Sequence, residues 1–490
     1  MSVSESASVT ERASQQSDLC YLTASEAIAL FQARKLSPRE LMAATIARIE
    51  AVNPRINAIS DRYFEEALEH AAAAEARWMK GEARALEGVP VAIKDVQRVA
   101  GKRTTQGSLA LADHIDDHSD PMVERLTRAG AIVHIRTTTP EFCLSGVCNS
   151  RAFGITRNPF NTDYGPGGSS GGSGAALAAG MTTIATGTDI GGSIRIPASA
   201  CGVVGFKPPH GRNPDGPPAN FDRFNHCGPM TRSVADAALM QNVTSGPHPL
   251  DHDSLRERVR IPADLPGIDG WRIACSLDLG YVPVDDEVKA GTLAALEHLR
   301  AAGAIVEEVD LGWTADIDQL ALHWYNTMHF GRSTIWQRRD HAALLTDYAL
   351  KFAEAAERTT GIDDVHKTFE TAHRMWQTLG PVLDRYDVFV CPTLTVPAVK
   401  AEHDPYDADF RVAGVRVDPE YGWVMTHQFN MLSNCPVMAV PSGRATSGVP
   451  TGIQIVGRTF DDISVFRAAA ALERSVGGWF RSEEARPVLA

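Results

Sequence analysis

The sequence predicts an α/β protein, and three observations carry that prediction. Short apolar runs of strand length alternate with amphipathic helical stretches over most of the 490 residues. Helix starts carry capping residues and several stops carry glycine. The composition, 44% hydrophobic and 22% charged, suits a large buried core and excludes disordered and fibrous classes.

In chain order, residues 1–18 are rich in Ser, Glu and Gln without apolar periodicity. Residues 1–20 are therefore expected as a disordered tail, 21–480 as one domain, and 481–490 as a second tail. Thr23-Ala24-Ser25-Glu26 is a capping box that predicts a helix to about residue 34. Ser37-Pro38-Arg39-Glu40 is another, with proline in the first turn, and Met42, Ile46 and Ile49 give that helix one apolar face. A third, alanine-rich helix is predicted over residues 64–80. These three helices are expected against the core or against a second copy in a homodimer. A strand-like run ends at Lys94; a helix opens at Asp120-Pro121 and stops at Gly130; residues 131–136 read as a strand. Further on, a helix is predicted over 233–243, a Pro- and charge-rich surface excursion over 246–267, and a strand–helix–strand unit over 272–309. Residues 313–380 read as mostly helical and aromatic, with Trp313, Trp324, Tyr325, Phe330, Trp336, Tyr348, Phe352, Phe369 and Trp376 expected mainly in the core and a few walling a pocket. Late strands are predicted over 387–395, 437–440 and 452–456, and a closing helix over 461–475.

The net charge is −13, from 47 basic and 60 acidic residues. That balance argues against nucleic acid or an anionic membrane as partner. With no signal-like start and no membrane-length apolar run, a cytoplasmic location is the expectation. The eight cysteines lack any C-x-x-C pairing and are expected as free thiols. The His114/His118 and His248/His252 pairs have helical spacing but lie among loop residues, so no metal site and no cofactor is expected.

One stretch, residues 163–195, concentrates the chemistry. It holds Gly167-Gly168-Ser169-Ser170-Gly171-Gly172 and, later, Gly187-Thr188-Asp189-Ile190-Gly191-Gly192-Ser193-Ile194-Arg195, joined by a small-residue helix (about 173–179) and a strand (about 182–186). Four readings compete. Apolar, periodic flanks argue against a flexible Gly/Ser linker. A phosphate loop lacks its G-x-x-x-x-G-K-[ST] pattern. A nucleophile elbow, G-x-S-x-G, matches at residues 167–171, but the turn-forming residues before it replace the strand that motif needs. The fourth reading is a paired-serine site that requires a lysine from elsewhere. Lys94 ends the run Gly88-Val89-Pro90-Val91-Ala92-Ile93-Lys94-Asp95; most strand-end lysines are solvated, but one beside a buried apolar strand can lose its proton by desolvation and act as a base.

PVAIKD, GGSSGGS and GTDIGGSIR, in that order, resemble the amidase signature family. The resemblance extends through Gly205-Phe206-Lys207-Pro208 and Gly452-Ile453-Gln454-Ile455-Val456-Gly457 to nearly the whole chain. It implies one α/β/α domain with a mixed central sheet flanked by helices, and a serine hydrolase that cleaves linear amides through an acyl-enzyme. In that scheme Ser193 is the nucleophile. Ser169, on a cis peptide after Gly168, is the bridging serine, and Lys94 is the base. The amides of Ile190, Gly191, Gly192 and Ser193 form the oxyanion hole, while Ser170, Thr188, Asp189 and Arg195 support the loops, with a plain ion pair as the alternative for the last two. Anilides, aryl esters and carbamates present the same carbonyl. The aromatic content of 313–380, without an obvious charged clamp, predicts neutral, apolar or aromatic substrates. Two rivals are weighed: the glutamine-hydrolysing subunit of a tRNA-dependent amidotransferase, and a catalytically inactive binding protein. Asn434 stands where the family usually has glycine, and a positive φ is expected there.

Overall fold

The computed structural model describes residues 18–325, 336–359 and 361–489. Its N-terminal helices are α1 (Ala24–Gln32), α2 (Pro38–Ile56) and α3 (Phe64–Lys80). Both expected capping boxes form: Thr23 and Ser37 each accept from the backbone amide three residues on, and Glu26 and Glu40 accept the return bonds. The apolar faces turn inward, with Phe31, Met42 and Ile49 buried, so these helices cover the chain's own core.

The chain then builds an eleven-stranded sheet. Its strands are β1 (Ile59–Arg62), β2 (Pro90–Lys94), β3 (Ile132–Thr137), β4 (Ile184–Asp189), β5 (Val204–Lys207), β6 (His226–Thr231), β7 (Arg272–Cys275), β8 (Ile305–Glu308), β9 (Val388–Pro392), β10 (Val437–Arg444) and β11 (Pro450–Val456). Their spatial order is β1-β3-β2-β4-β6-β5-β10-β11-β9-β7-β8. The sheet is mixed: β3, β2 and β4 run parallel, as do β9, β7 and β8, and antiparallel pairs join the two groups.

The remaining helices are α4 (Pro121–Arg128), α5 (Gly171–Ala178), α6 (Arg195–Ala200), α7 (Val234–Thr244), α8 (Asp286–Ala301), α9 (Asp316–Trp324), α10 (Asp347–Thr359), α11 (Ile362–Arg385), α12 (Gln428–Met431) and α13 (Asp462–Ser475). They cover both faces of the sheet. Side chains alternate along a strand, so one strand feeds two cores. On β9, Val388 and Val390 join Leu296 and Phe466 in one core, while Phe389 and Cys391 join Trp313, Trp324 and Phe429 in the other. This is the three-layer α/β/α arrangement with a mixed sheet that the resemblance implies.

Several expectations need correction. Residues 1–17 lie outside the described residues, but Asp18 to Cys20 are helical and Cys20 is buried, its thiol donating to the Ala44 carbonyl at 3.4 Å. At the other end Leu489 is buried beside Phe480. Cys20 and Leu489 thus pack on the domain. The excursion over 246–267 is not merely surface, because Ile261 and Leu265 enter the core. Asn434 is not among the positive-φ residues. No helix among the described residues is long and apolar enough to cross a membrane.

Candidate active site

The parallel neighbours β2 and β4 end at the same edge of the sheet, which brings Lys94 and Thr188 together. Lys94 is fully buried. Its backbone amide donates to Thr186 Oγ1 at 3.1 Å, and its Nζ lies 2.7 Å from Ser169 Oγ and 2.8 Å from Thr188 Oγ1. Among the described residues no carboxylate forms an ion pair with it. Burial therefore pushes the Lys94 amine below its ordinary pKa, against a smaller opposing influence from Cys143.

Ser169 precedes α5, and the Gly168–Ser169 peptide is cis, as the resemblance implies. Ser170 ties the two Gly/Ser segments together. Its amide donates to the Ser193 carbonyl at 3.1 Å, its hydroxyl donates to the Thr188 carbonyl at 3.3 Å, and the Thr188 amide donates back to that hydroxyl at 3.3 Å. Ser169 and Ser193 line the same cavity, though no hydrogen bond joins them among the described residues.

The turn from β4 into α6 holds Ile190 to Ile194, and a buried ion pair shapes it. Arg195 donates to both Asp189 oxygens at 3.0 Å. It also donates to the Thr426 carbonyl at 2.9 Å, Gln454 Oε1 at 2.8 Å and Asn430 Oδ1 at 2.6 Å. Burial alone would raise Asp189, but Arg195 beside it and the Asn430 hydrogen bond hold it well below the usual carboxylate range. Its oxygens accept the amides of Gly192 at 2.8 Å and Ile194 at 3.2 Å. Glycine is required at 192: φ is +123°, and a Cβ there would sit 2.0 Å from Thr426 Oγ1.

This geometry corrects one expected oxyanion donor. The Gly192 amide is already committed to Asp189, so it is structural. The amides of Ile190, Gly191 and Ser193 make no hydrogen bond among the described residues and remain available to an anion. Thr426 Oγ1 donates to the Gly191 carbonyl at 2.6 Å and holds the turn from outside. Thr426, Asn430 and Gln454 lie more than 200 positions from Arg195, and no local spacing in the sequence signals their role.

Ser193 stands between two cavities. The wider, of about 190 Å³, continues past Ser169, Thr188 and Ile190 to a wall of Gln97, Asp120, Asp215 and Asp222. The narrower, of about 30 Å³, lies toward Leu144, Tyr325, Tyr421 and Val424. Phe142 lines the wide cavity and Cys143 both; these consecutive non-glycine residues have φ of +52° and +61°, so the backbone at this seam is held in a costly conformation. The aromatics of 313–380 are expected mainly in the core with a few walling a pocket, and the described ones divide in that way. Trp313 and Trp324 are core, Tyr325 reaches the narrow cavity, and Phe330 and the Trp336 side chain lie outside the described residues. The wide cavity mixes apolar residues, among them Val96, Phe142, Ile190 and Pro218, with Asp120, Asp215 and Asp222.

The Amidase family model matches residues 40–466. An acylamidase of Rhodococcus erythropolis is 35% identical over 465 residues, covering 94% of this chain and 96% of that one. A glutamyl-tRNA(Gln) amidotransferase subunit from Geobacter metallireducens is 32% identical, covering 90% and 94%. Among solved structures, a bacterial aryl acylamidase of the amidase signature family superposes with a TM-score of 0.86 at 32% identity, covering 93% of this chain and 96% of that one.

Proposed function

Because the chain belongs to the Amidase family and is a hydrolase of carbon–nitrogen amide bonds, we propose that its acyl-enzyme forms on Ser193, with Ser169 as the relay and Lys94 as the base. The observation that carries this is the environment of Lys94: a fully buried amine beside two hydroxyls and the Cys143 thiol, with no carboxylate in an ion pair with it among the described residues. A buried lysine without a counter-charge gives up its proton, and the neutral amine is a base.

The steps follow from that assignment. Lys94 Nζ takes the Ser169 proton as Ser169 Oγ takes that of Ser193, and Ser193 Oγ attacks the substrate carbonyl carbon. This requires Ser169 and Ser193 to close to hydrogen-bond distance, a tightening common when substrate seats. The carbonyl electron pair moves onto oxygen, which the amides of Ile190, Gly191 and Ser193 receive. The relay then runs backward: Lys94 returns its proton through Ser169 to the leaving nitrogen, the carbon–nitrogen bond breaks, and the amine departs. Water attacks the ester by the same route and frees the carboxylate. Esters and carbamates offer the same carbonyl with an easier leaving group.

The experiment is labelling with a fluorophosphonate followed by peptide mapping. The adduct is expected on Ser193; an adduct on Ser169 or Ser170 would support the nucleophile-elbow alternative instead. The amidotransferase relatives keep a second reading in view, since their identity is close to that of the acylamidase. Anilide hydrolysis by the purified chain alone supports a stand-alone enzyme. Glutamine hydrolysis that appears only with added partner subunits would favour the amidotransferase.

A further inference from the structure

The wide cavity at Ser193 is also lined by Asp120 and Asp215, with Arg98 as the cation beside them. Asp120 is 7% exposed, and Asp215 lines the same wall. Neither forms an ion pair among the described residues. Asp120 Oδ2 accepts the Arg98 backbone amide, at 2.7 Å; the Arg98 guanidinium lies against His118, at 3.0 Å. Asp215 accepts from the Gly216 amide and from Asn225 Nδ2, each at 2.8 Å. Asp251, also buried, accepts the Asp215 amide at 3.1 Å and adds a third carboxylate behind the first two. Gly216 joins them: a Cβ on it would meet Asp120 Oδ1 at 2.4 Å. A separate observation points the same way. Gln97 is 2% exposed, lines this cavity, and has a buried Oε1 without a hydrogen-bond partner. Its amide nitrogen is turned to the Met122 sulfur at 3.5 Å, so an acceptor is what remains for the cavity.

Buried acceptors without donors are costly, and uncompensated buried carboxylates more so. Burial and the neighbouring Asp215 accordingly push Asp120 up to about 7. A proton relieves the pair poorly; a ligand cation with several N–H donors answers both carboxylates and Gln97 Oε1 together. We infer that this wall, formed by Asp120, Asp215 and Gln97, is a subsite for a substrate bearing an alkylammonium or amidinium group remote from the scissile carbonyl. The inference rests on Ser193 as the reacting centre, because the cavity is what connects the wall to it. It names a substrate class opposite to the neutral one expected from aromatic content. Among the described residues no cluster of three His, Cys, Asp or Glu side chains is arranged to hold a metal ion.

Two measurements test it. The first compares hexanoyl para-nitroanilide with its isostere in which an ammonium replaces the terminal methyl. The wild-type chain should favour the ammonium substrate by about tenfold in kcat/KM, and Asp215→Asn or Gln97→Leu should each erase most of that ratio. Taking the ratio within each variant cancels any general loss of activity or folded protein. The second uses Ser193→Ala and calorimetry, so that it needs no turnover: hexylammonium should bind about tenfold tighter than hexanol, and less so when Asp215→Asn is added. Equal preference for the two anilides, or equal binding of hexylammonium and hexanol, overturns the subsite. Failure to hydrolyse either anilide alongside selective ammonium binding would instead count against the catalytic assignment and leave the subsite standing.

Discussion

Lys94 and Arg195 are both fully buried basic side chains at the same end of the sheet's strands, and the molecule treats them in opposite ways. Arg195 meets a carboxylate along two hydrogen bonds and directs its other donors to Thr426, Gln454 and Asn430. Lys94 meets two hydroxyls and the Cys143 thiol, and no carboxylate in an ion pair among the described residues. A guanidinium cannot shed its proton, so its burial demands full compensation; an amine can, and burial without compensation drives it neutral. The difference separates a scaffold cation from a reactive one without reference to their distance from the cavity.

The sharpest way to break that comparison is Lys94→Met. It removes the proposed base while keeping apolar volume, so amide kcat/KM should fall by at least about a thousandfold, as for other catalytic units that act together. Thermal stability should hold or rise, because a buried ionisable group is replaced by a hydrophobic one. Lys94→Arg should not restore activity, since the guanidinium stays charged. Amide activity within about tenfold of wild type would remove Lys94 from the mechanism.

Arg195→Ala probes the other side. It leaves Asp189 buried and unpaired, at a cost of about 3–5 kcal/mol measured by urea unfolding. The pH dependence carries a sign. In the wild type Asp189 is held below its ordinary value, so its contribution is complete above the unfolded carboxylate pKa of about 3.9 and is lost only as the pH falls through the depressed folded value. In the variant the Asn430, Gly192 and Ile194 hydrogen bonds remain but the counter-charge is gone, so burial, the largest influence, raises Asp189 and stability declines as the pH climbs above about 4. The gap between variant and wild type should therefore be widest near neutrality and narrow in acid.

What the sequence made legible follows the same division. Local chemistry was readable: two capping boxes set the starts of α1 and α2, and the Lys94, Ser169 and Ser193 segments meet at one cavity edge. Elements that break local rules were not. β5 and β6 contain Gly205, Gly228 and Pro229, which read as turn residues, yet they sit in the middle of the sheet with both neighbours paired. Long-range partners were equally hidden, since nothing near Thr426, Asn430 or Gln454 marks them as the cradle of Arg195. Gly192 shows a subtler limit. Its glycine is needed for backbone shape, but which amide faces the substrate depends on where the Asp189 carboxylate lies, and only the fold sets that.

Thr188→Val tests whether hydroxyl partners tune the reactive cation. Thr188 Oγ1 accepts from Lys94 Nζ, and an acceptor favours the charged amine. Removing it should lower the Lys94 pKa further, moving the acid limb of kcat/KM toward lower pH by up to about one unit. The plateau should drop by about tenfold, as the amine loses one of the two hydroxyl contacts that orient it. An acid limb that stays in place would mean another group sets it.

Lys207 supplies the smallest and most discriminating case, because it shares Lys94's burial but not its place. It is fully buried, donates to the Cys435 carbonyl at 2.9 Å, and has no carboxylate in an ion pair among the described residues. Burial, with Arg195 adding repulsion, pushes it down to about 7. It does not line the cavity at Ser193. If burial alone made a base, Lys207→Met would damage catalysis; if position decides, amide kcat/KM should stay within about threefold. The effect should appear in stability instead. A lysine held below its unfolded value of about 10.4 gives its full contribution only above that pH, and the contribution is lost as the pH falls through about 7. Lys207→Met lacks this titration, so its stability relative to wild type should improve steadily from about pH 10 down to about pH 7. Urea unfolding at three pH values reads the slope, and the same preparations report the acid limb of activity, which should match wild type. A flat stability difference would show that Lys207 is charged in the folded chain. A displaced acid limb would show that the two buried lysines titrate as one unit, and Lys94 alone would no longer account for the pH dependence of the site.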